Sequence, residues 1–426
     1  MFYVRPSQLF TQSYDDKKLD LTMPDTGCSI DIIREELTEK ARSMVPALRG
    51  RAAEAETNRR LPDITHREFL EAGFYKMFQP HRYGGYELSW DSILDIAAEL
   101  GRGCGSSCWV FTNLTGQSWI NGMKCEQAQD DVWANNPDAV IASSFPGKDA
   151  IVKTVQGGWV ASGTWGFSSG IDFADWSNVQ LFVPQDNAPP QHQFALVPKT
   201  DFFSFVDDWN PCGLAATGSR SFVLKEVFIP KHRAISAAEV QGGATPGSKV
   251  NPNPLYKLPL FALGTKQFSS TAVGIALGAL DAMWTDLSIR KSVAGVKLSE
   301  QGTVQARVAE ASTEVDAARA LLSSDFKEGM QIAAGDKPPT QDQRARWRRN
   351  NAYAGKLCVQ AVERLFPLVG GRGLVFDSIF QRAVRDVHAA TSQNSMAWDV
   401  AAMMYAQQRF GAVISDPRYF PGVKKG

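Results

Sequence analysis

Residues 163–176 read GTWGFSSGIDFADW. Trp165, Phe167, Phe173 and Trp176 alternate with Gly163, Gly166 and Gly170 around the pair Ser168–Ser169. The stretch holds no phosphate loop, nucleophile elbow or metal-ligand set. Flat apolar side chains, hydroxyls and glycines that let backbone approach closely suit two roles. One is a packed strand and turn inside a β core. The other is a wall against which a flat cofactor lies. The residues alone leave both open.

Working outward, the neighbours are short, β-branched and aromatic: AVIASSF, AIVKTV, GWVASGTW, SNVQLFV, QFALVP and SFVLKEVFIP, punctuated by Gly, Pro, Asn and Asp. This predicts a middle β domain over 139–240, a sandwich or small barrel. Residues 30–138 read as a helical domain. In SWDSILDIAAELGRG, Ser89 is placed to cap a helix whose Ile93, Ile96, Ala97 and Leu100 share one face. GCGSSCWVFTNLTGQSWINGM is apolar almost all round and predicts a helix buried on several sides. Residues 241–259, rich in Gly, Pro and Asn, read as a linker or surface loop. A helical bundle follows over 255–426. Val304, Val308, Ala311, Val315, Ala318 and Leu322 form a heptad-like seam, and Ala272, Gly274, Ala276 and Gly278 allow close helix packing. The predicted class is α+β with three units.

The 426 residues carry 45 Lys+Arg against 45 Asp+Glu. Such a balance gives no electrostatic recruitment of nucleic acid or an anionic membrane. No apolar leader and no uninterrupted apolar run of membrane-spanning length is visible, so the expectation is a cytoplasmic protein. Cysteines 28, 104, 108, 125, 212 and 358 lack zinc-site spacing, and no metal is expected; they read as reduced thiols.

Helices, a β domain and a helical bundle, in that order, resemble the acyl-CoA dehydrogenase layout. FLEAGFYKMFQPHRYGGYELSWDSILDIAAELGRGCGSSCWV, WGFSSGIDFADW and PLVGGRGLVFDSIFQRAVRDVHAA are similar to one branch of it. That branch is the two-component flavin-dependent monooxygenases, which include the oxygenase components of p-hydroxyphenylacetate hydroxylase and dibenzothiophene monooxygenase. The resemblance implies a C-terminal four-helix bundle and a homo-oligomer, a tetramer in this family. It implies reduced FMN or FAD delivered by a separate NAD(P)H-dependent flavin reductase. With O2 this forms a flavin C4a-hydroperoxide, which passes one oxygen atom to a small aromatic or heteroaromatic substrate.

The resemblance also assigns residues. Trp165, Phe167, Ser168 and Ser169 lie against the flavin, with Ser169 at N5 or O4. Ser144 is near the pyrimidine edge. Arg290 reaches the cofactor phosphates of a neighbouring subunit, and Gly370 and Gly371 pass its nucleotide end. His388 stands beside the flavin segment. Where phenol-hydroxylating relatives carry histidines, this chain has Gln117 and Gln393, which cannot take a phenolic proton. Oxidation at sulfur or nitrogen, or ring epoxidation, therefore stands beside ring hydroxylation. The alternative is an oxidase or acyl-CoA dehydrogenase that abstracts an α-proton. No Glu lies between Glu239 and Glu300 or after Glu363, which leaves Asp281, Asp386 and Asp399 as its candidate bases.

Overall fold

The computed structural model describes residues 26–412 except 146 and 336. The reading of the first residues for a leader, the side chain of Cys28 and the end of the 255–426 unit lie outside the described residues.

The first helices are α1 (Thr26–Asn58), α2 (Asp63–Ala72), α3 (Ser92–Gly103), α4 (Gly105–Gly122) and α5 (Glu126–Trp133). The face of α3 bearing Ile93, Ile96, Ala97 and Leu100 is fully buried. Its start differs from the expectation. The N-cap position is Asp91, and Ser89 offers only its carbonyl, to the Ser92 N–H. The reason is anchoring upstream of the helix. Trp90 Nε1 donates to Leu263 O, and Arg34 holds Asp91, so a turn precedes the first helical residue. All 18 residues of α4 are buried.

Two four-stranded sheets follow. One runs β1 (Ile141–Ser143), β4 (Trp176–Gln185), β5 (Ala188–Pro198), β8 (Ala234–Ser236). The other runs β2 (Lys148–Val155), β3 (Gly158–Trp165), β7 (Ser221–Pro230), β6 (Ser204–Val206). All neighbours are antiparallel except β1 with β4, where Ile141 pairs with Trp176. Trp165, opposite Phe222 in the register of β3 and β7, belongs to the sandwich core together with Val179, Leu181 and Val197.

The helices α6 (Lys266–Ile289), α7 (Gly302–Ala334), α8 (Gln341–Val369), α9 (Ile379–Thr391) and α10 (Trp398–Arg409) complete the fold. Helix α6 packs on α3, α4, α8 and α9, and so joins the first helical layer to the bundle. Glycine makes the α3 crossing possible. A Cβ on Gly101 would lie 2.6 Å from the Gly274 Cα, and one on Gly274 would lie 2.3 Å from Ala97 O. The stretch Leu260–Ile289 is long and apolar enough, on average, to cross a membrane. Most of it is buried against other helices, as a core helix must be.

The seam Val304–Leu322 packs as a bundle seam, buried within this chain where α7 meets α8 and α6. One expectation is corrected. Residues 241–259 are not a free linker. Asn251 Nδ2 donates to Gly122 O and Gln129 Oε1, Trp119 Nε1 donates to Leu255 O, and buried Tyr256 donates to Phe78 O. The segment supplies donors to carbonyls at the end of α4, Asn251 Nδ2 to Gly122 O and the Gly247 N–H to Met123 O.

Candidate active site

The turn that follows β3 lies on α4. A Cβ on Gly170 would meet Val110 and Leu114 at 2.9–3.2 Å, so only glycine, at φ +71°, lets this backbone seat on the helix. Trp109 Nε1 donates to Ser169 Oγ at 3.0 Å, and the Trp109 ring stacks on Phe268 of α6 at 4.8 Å. Residue 145 is tied in by its N–H to Gly166 O. The residual exposure of α4 follows one stripe: Trp109 9%, Asn113 7%, Gln117 5% and Ile120 6%. These positions recur every three to four residues, so a crevice runs along one side of an otherwise enclosed helix.

Ser169 belongs to a chain of hydroxyls. Its Oγ is 2.7 Å from Ser219 Oγ, which is 2.7 Å from Thr217 Oγ1, which is 2.8 Å from Leu214 O. The carbonyl can only accept. Thr217 therefore gives its proton to Leu214 O, Ser219 gives its own to Thr217, and Ser169 gives its own to Ser219. Ser169 also accepts from Trp109, so one lone pair is all it can offer a ligand. The far end is fixed by Asp386, whose Oδ1 accepts from Leu214 N at 2.6 Å. Burial pushes the Asp386 carboxyl up to about 6, against opposing pulls from the Leu214 N–H and Arg385.

The other predicted residues separate into two groups. Ser144 and Ser168 are buried beside the turn, and their hydroxyls have no partner among the described residues. Phe167, at φ +55°, is 62% exposed and meets Phe145 and Trp209 edge-on. Gln117 lies on the crevice stripe, and its Oε1 accepts from Asn178 Nδ2. Trp165 is corrected: it is fully buried, donates to Gln180 O, and presents no wall.

Five others are not brought to the crevice. Arg290 pairs with Asp286 and donates to Leu368 O and Val369 O, capping the end of α8. Gly370, at φ +69°, is the cap residue there, and Gly371 beside it is exposed. His388 lies on the exposed side of α9, paired with Glu363 of α8 at 2.9 Å. Gln393 caps the short turn Asn394–Met396 by accepting from the Ser395 N–H and hydroxyl. Arg290, His388 and Gln393 each have a nearer partner within their own chain.

Sequence reading missed Ser219, Thr217 and Asn178. Two hydroxyls in the turn and loop before β7, and an amide in β4, carry no periodic signal, and nothing in their spacing connects them to Ser169.

Orphaned hydroxyls beside an exposed aromatic, above a buried acceptor, fit a flat polar-edged group, and the layout is that of a flavin fold. Residues 31–129 match the acyl-CoA dehydrogenase N-terminal domain, and 267–398 the acyl-CoA dehydrogenase C-terminal domain. This is the class the fold and crevice define. Within it, the chain is 33% identical to the flavin-dependent monooxygenase oxygenase subunit HsaA of Rhodococcus jostii, over 88% of this chain and 98% of that one. It is also 33% identical to the FADH(2)-dependent resorcinol hydroxylase oxygenase component of a Rhizobium species, over 88% and 94%. The crystal structure of 3-HSA hydroxylase from a Rhodococcus species superposes with a TM-score of 0.85 at 31% identity, covering 90% and 98%. The chain belongs to the oxygenase components of the flavin-dependent monooxygenases, enzymes that use reduced flavin and O2.

Proposed function

We propose that this oxygenase hydroxylates the ring of a small oxygenated aromatic, with reduced FAD or FMN supplied by a separate reductase. The resorcinol hydroxylase among its relatives supports ring oxidation over oxidation at sulfur or nitrogen. The observation that carries the reading is the polarity of the Ser169 chain. Reduced flavin bears a proton on N5, whereas oxidised flavin offers only a lone pair there. Ser169 presents an acceptor, so it pairs with the reduced form and leaves the oxidised form unmatched.

When bound, reduced flavin supplies the two electrons with which O2 yields one oxygen atom to the substrate and one to water. The chain's own residues do the rest. Phe167 offers a ring face, Ser144 and Ser168 offer hydroxyls, and Trp109 with Phe268 closes the crevice with apolar surface that excludes water.

The α-proton-abstraction alternative lacks a base in the crevice among its three candidates. Asp386 is bound to Leu214 N, Asp281 pairs with Arg102, and Asp399 is exposed at the start of α10.

The proposal extends to a cytoplasmic homotetramer. Trp284, Ile289, Val293 and Val296 after and along the end of α6 are exposed, as are Leu374, Val375 and Phe376 after α8. The two groups are tied together by Arg372 with Asp286. Exposed apolar side chains of this kind support association. A Phe376→Glu variant that sediments like the wild type counts against that surface.

Anaerobic titration with reduced and oxidised flavin, followed by oxygenation in the presence of phenols, tests the function. Tight reduced-flavin binding and labelled oxygen from O2 in the product are expected. Oxidised flavin retained on purification and reduced by substrate alone would overturn it.

A further inference from the structure

Lys124 follows α4, and its side chain is fully buried. Its Nζ donates to Asn178 Oδ1 at 2.7 Å, and Asn178 Nδ2 donates to Gln117 Oε1 at 2.9 Å. The sense of this chain follows from the donor and acceptor inventory. Towards Asn178 the amine donates, so the Asn178 carbonyl faces it. The Asn178 amide group then faces Gln117, and Gln117 must turn its own carbonyl towards Asn178. What remains is Gln117 Nε2, a pair of N–H donors for which the described residues provide no hydrogen-bonded acceptor. Gln117 is about nine-tenths or more buried, and its exposure belongs to the stripe that opens on the crevice. Desolvation pushes Lys124 down to about 7, with an opposing pull from Cys125. The ammonium form has donors only, so it fixes the sense of the chain for as long as Lys124 holds its proton.

We infer that Lys124 and Asn178 are positioning residues that hold Gln117 as a hydrogen-bond donor, and that the aromatic substrate meets it with an accepting oxygen, a phenolate or a carbonyl. This rests on the monooxygenase reading of the crevice. It also resolves what an amide does where a base is missing. Gln117 need not take a proton from the substrate if the site selects a group that is already an acceptor. The cost of offering it a donor instead is one unpaired buried polar group.

The test is calorimetric binding to the protein loaded anaerobically with reduced FAD. The probes are 4-methylphenol, 4-methylbenzaldehyde and 4-methylaniline, run in two buffers so that proton release is measured. Wild type should bind the phenol or the aldehyde at least about tenfold tighter than the amine. Proton release identifies a phenolate; preference for the aldehyde without release identifies a carbonyl. Asn178→Asp is the decisive variant. Both carboxylate oxygens accept, so Gln117 must turn round and present Oε1, and the preference should invert towards the amine. Lys124→Met, which removes the anchor but keeps the shape, should narrow the preference to about threefold or less. An unchanged ranking in Asn178→Asp overturns the inference, as does failure of wild type loaded with reduced FAD to bind any of the probes. Failure to bind reduced FAD itself would instead bring down the monooxygenase reading, and the inference with it.

Discussion

The crevice along α4 and the rim of the bundle where α8 meets α9 hold the same kinds of residue in opposite situations. In the crevice, Ser144, Ser168, Ser169 and Gln117 are buried; among the described residues the Ser144 and Ser168 hydroxyls have no partner, and the partners of Ser169 and Gln117 leave a lone pair and an amide group to offer. At the rim, Arg290, His388 and Gln393 are partly or largely exposed, and each is engaged with a nearby helix end, carboxylate or turn. Water can satisfy a group at the rim at little cost. In the crevice an unmatched group costs free energy until water or a ligand completes it. Proximity to a family motif is thus a weaker sign of function than burial combined with incomplete pairing.

The sharpest way to break this comparison is Asn178→Leu. It removes the hydrogen-bond acceptor of the buried Lys124 amine, and a loss of about 1–3 kcal/mol in urea unfolding is expected. A loss below about 1 kcal/mol would show that crevice polar groups are no more constrained than those at the rim.

Asp386 lies on α9 but faces inward, and it tests whether that helix serves both regions. Its carboxyl is raised to about 6, with Arg385, Arg382 and Glu56 acting on it from α9 and α1. Between the ordinary carboxylate range and about pH 6 the native state holds a proton that the unfolded chain has released. Stability from this group is therefore present at low pH and lost as pH rises through about 6. Asp386→Asn keeps an acceptor for Leu214 N and removes the titration. The variant should lose on the order of 2 kcal/mol of the stability difference between pH 4 and pH 7, read from unfolding curves at both. An unaltered pH profile would mean that Asp386 is solvated like a rim residue.

Ser169→Ala should weaken reduced-flavin binding about fivefold while oxidised-flavin binding changes little, which narrows the redox preference measured by titration. Equal weakening of both forms would place Ser169 in packing alone.

The smallest effects belong to the rim. His388→Asn and Gln393→Leu should each change kcat/KM less than about threefold once a substrate is in hand. A tenfold loss with flavin affinity intact would return that residue to the site, by way of a neighbouring subunit.

Local pattern determined much of this protein. Apolar periodicity marked the buried faces of α3 and α7, short β-branched runs marked the sheets, and small residues in α6 marked the helix that others cross closely. Those features are legible because each depends on residues a few positions apart. The stretch 163–176 announced a special turn in the same way, yet its residues diverge in the fold. Trp165 ends a strand inside the core, and Phe167 two positions later is turned outwards by a left-handed backbone. Only the tertiary structure decided what Ser169 and Gln117 can offer a ligand. Each owes its polarity to partners 50 and 61 positions away, Ser219 and Asn178, and beyond them to a carbonyl and a buried amine that fix the sense of each chain. A hydrogen bond has a direction, and direction is set at the end of a chain of partners, where no local stretch of sequence can show it.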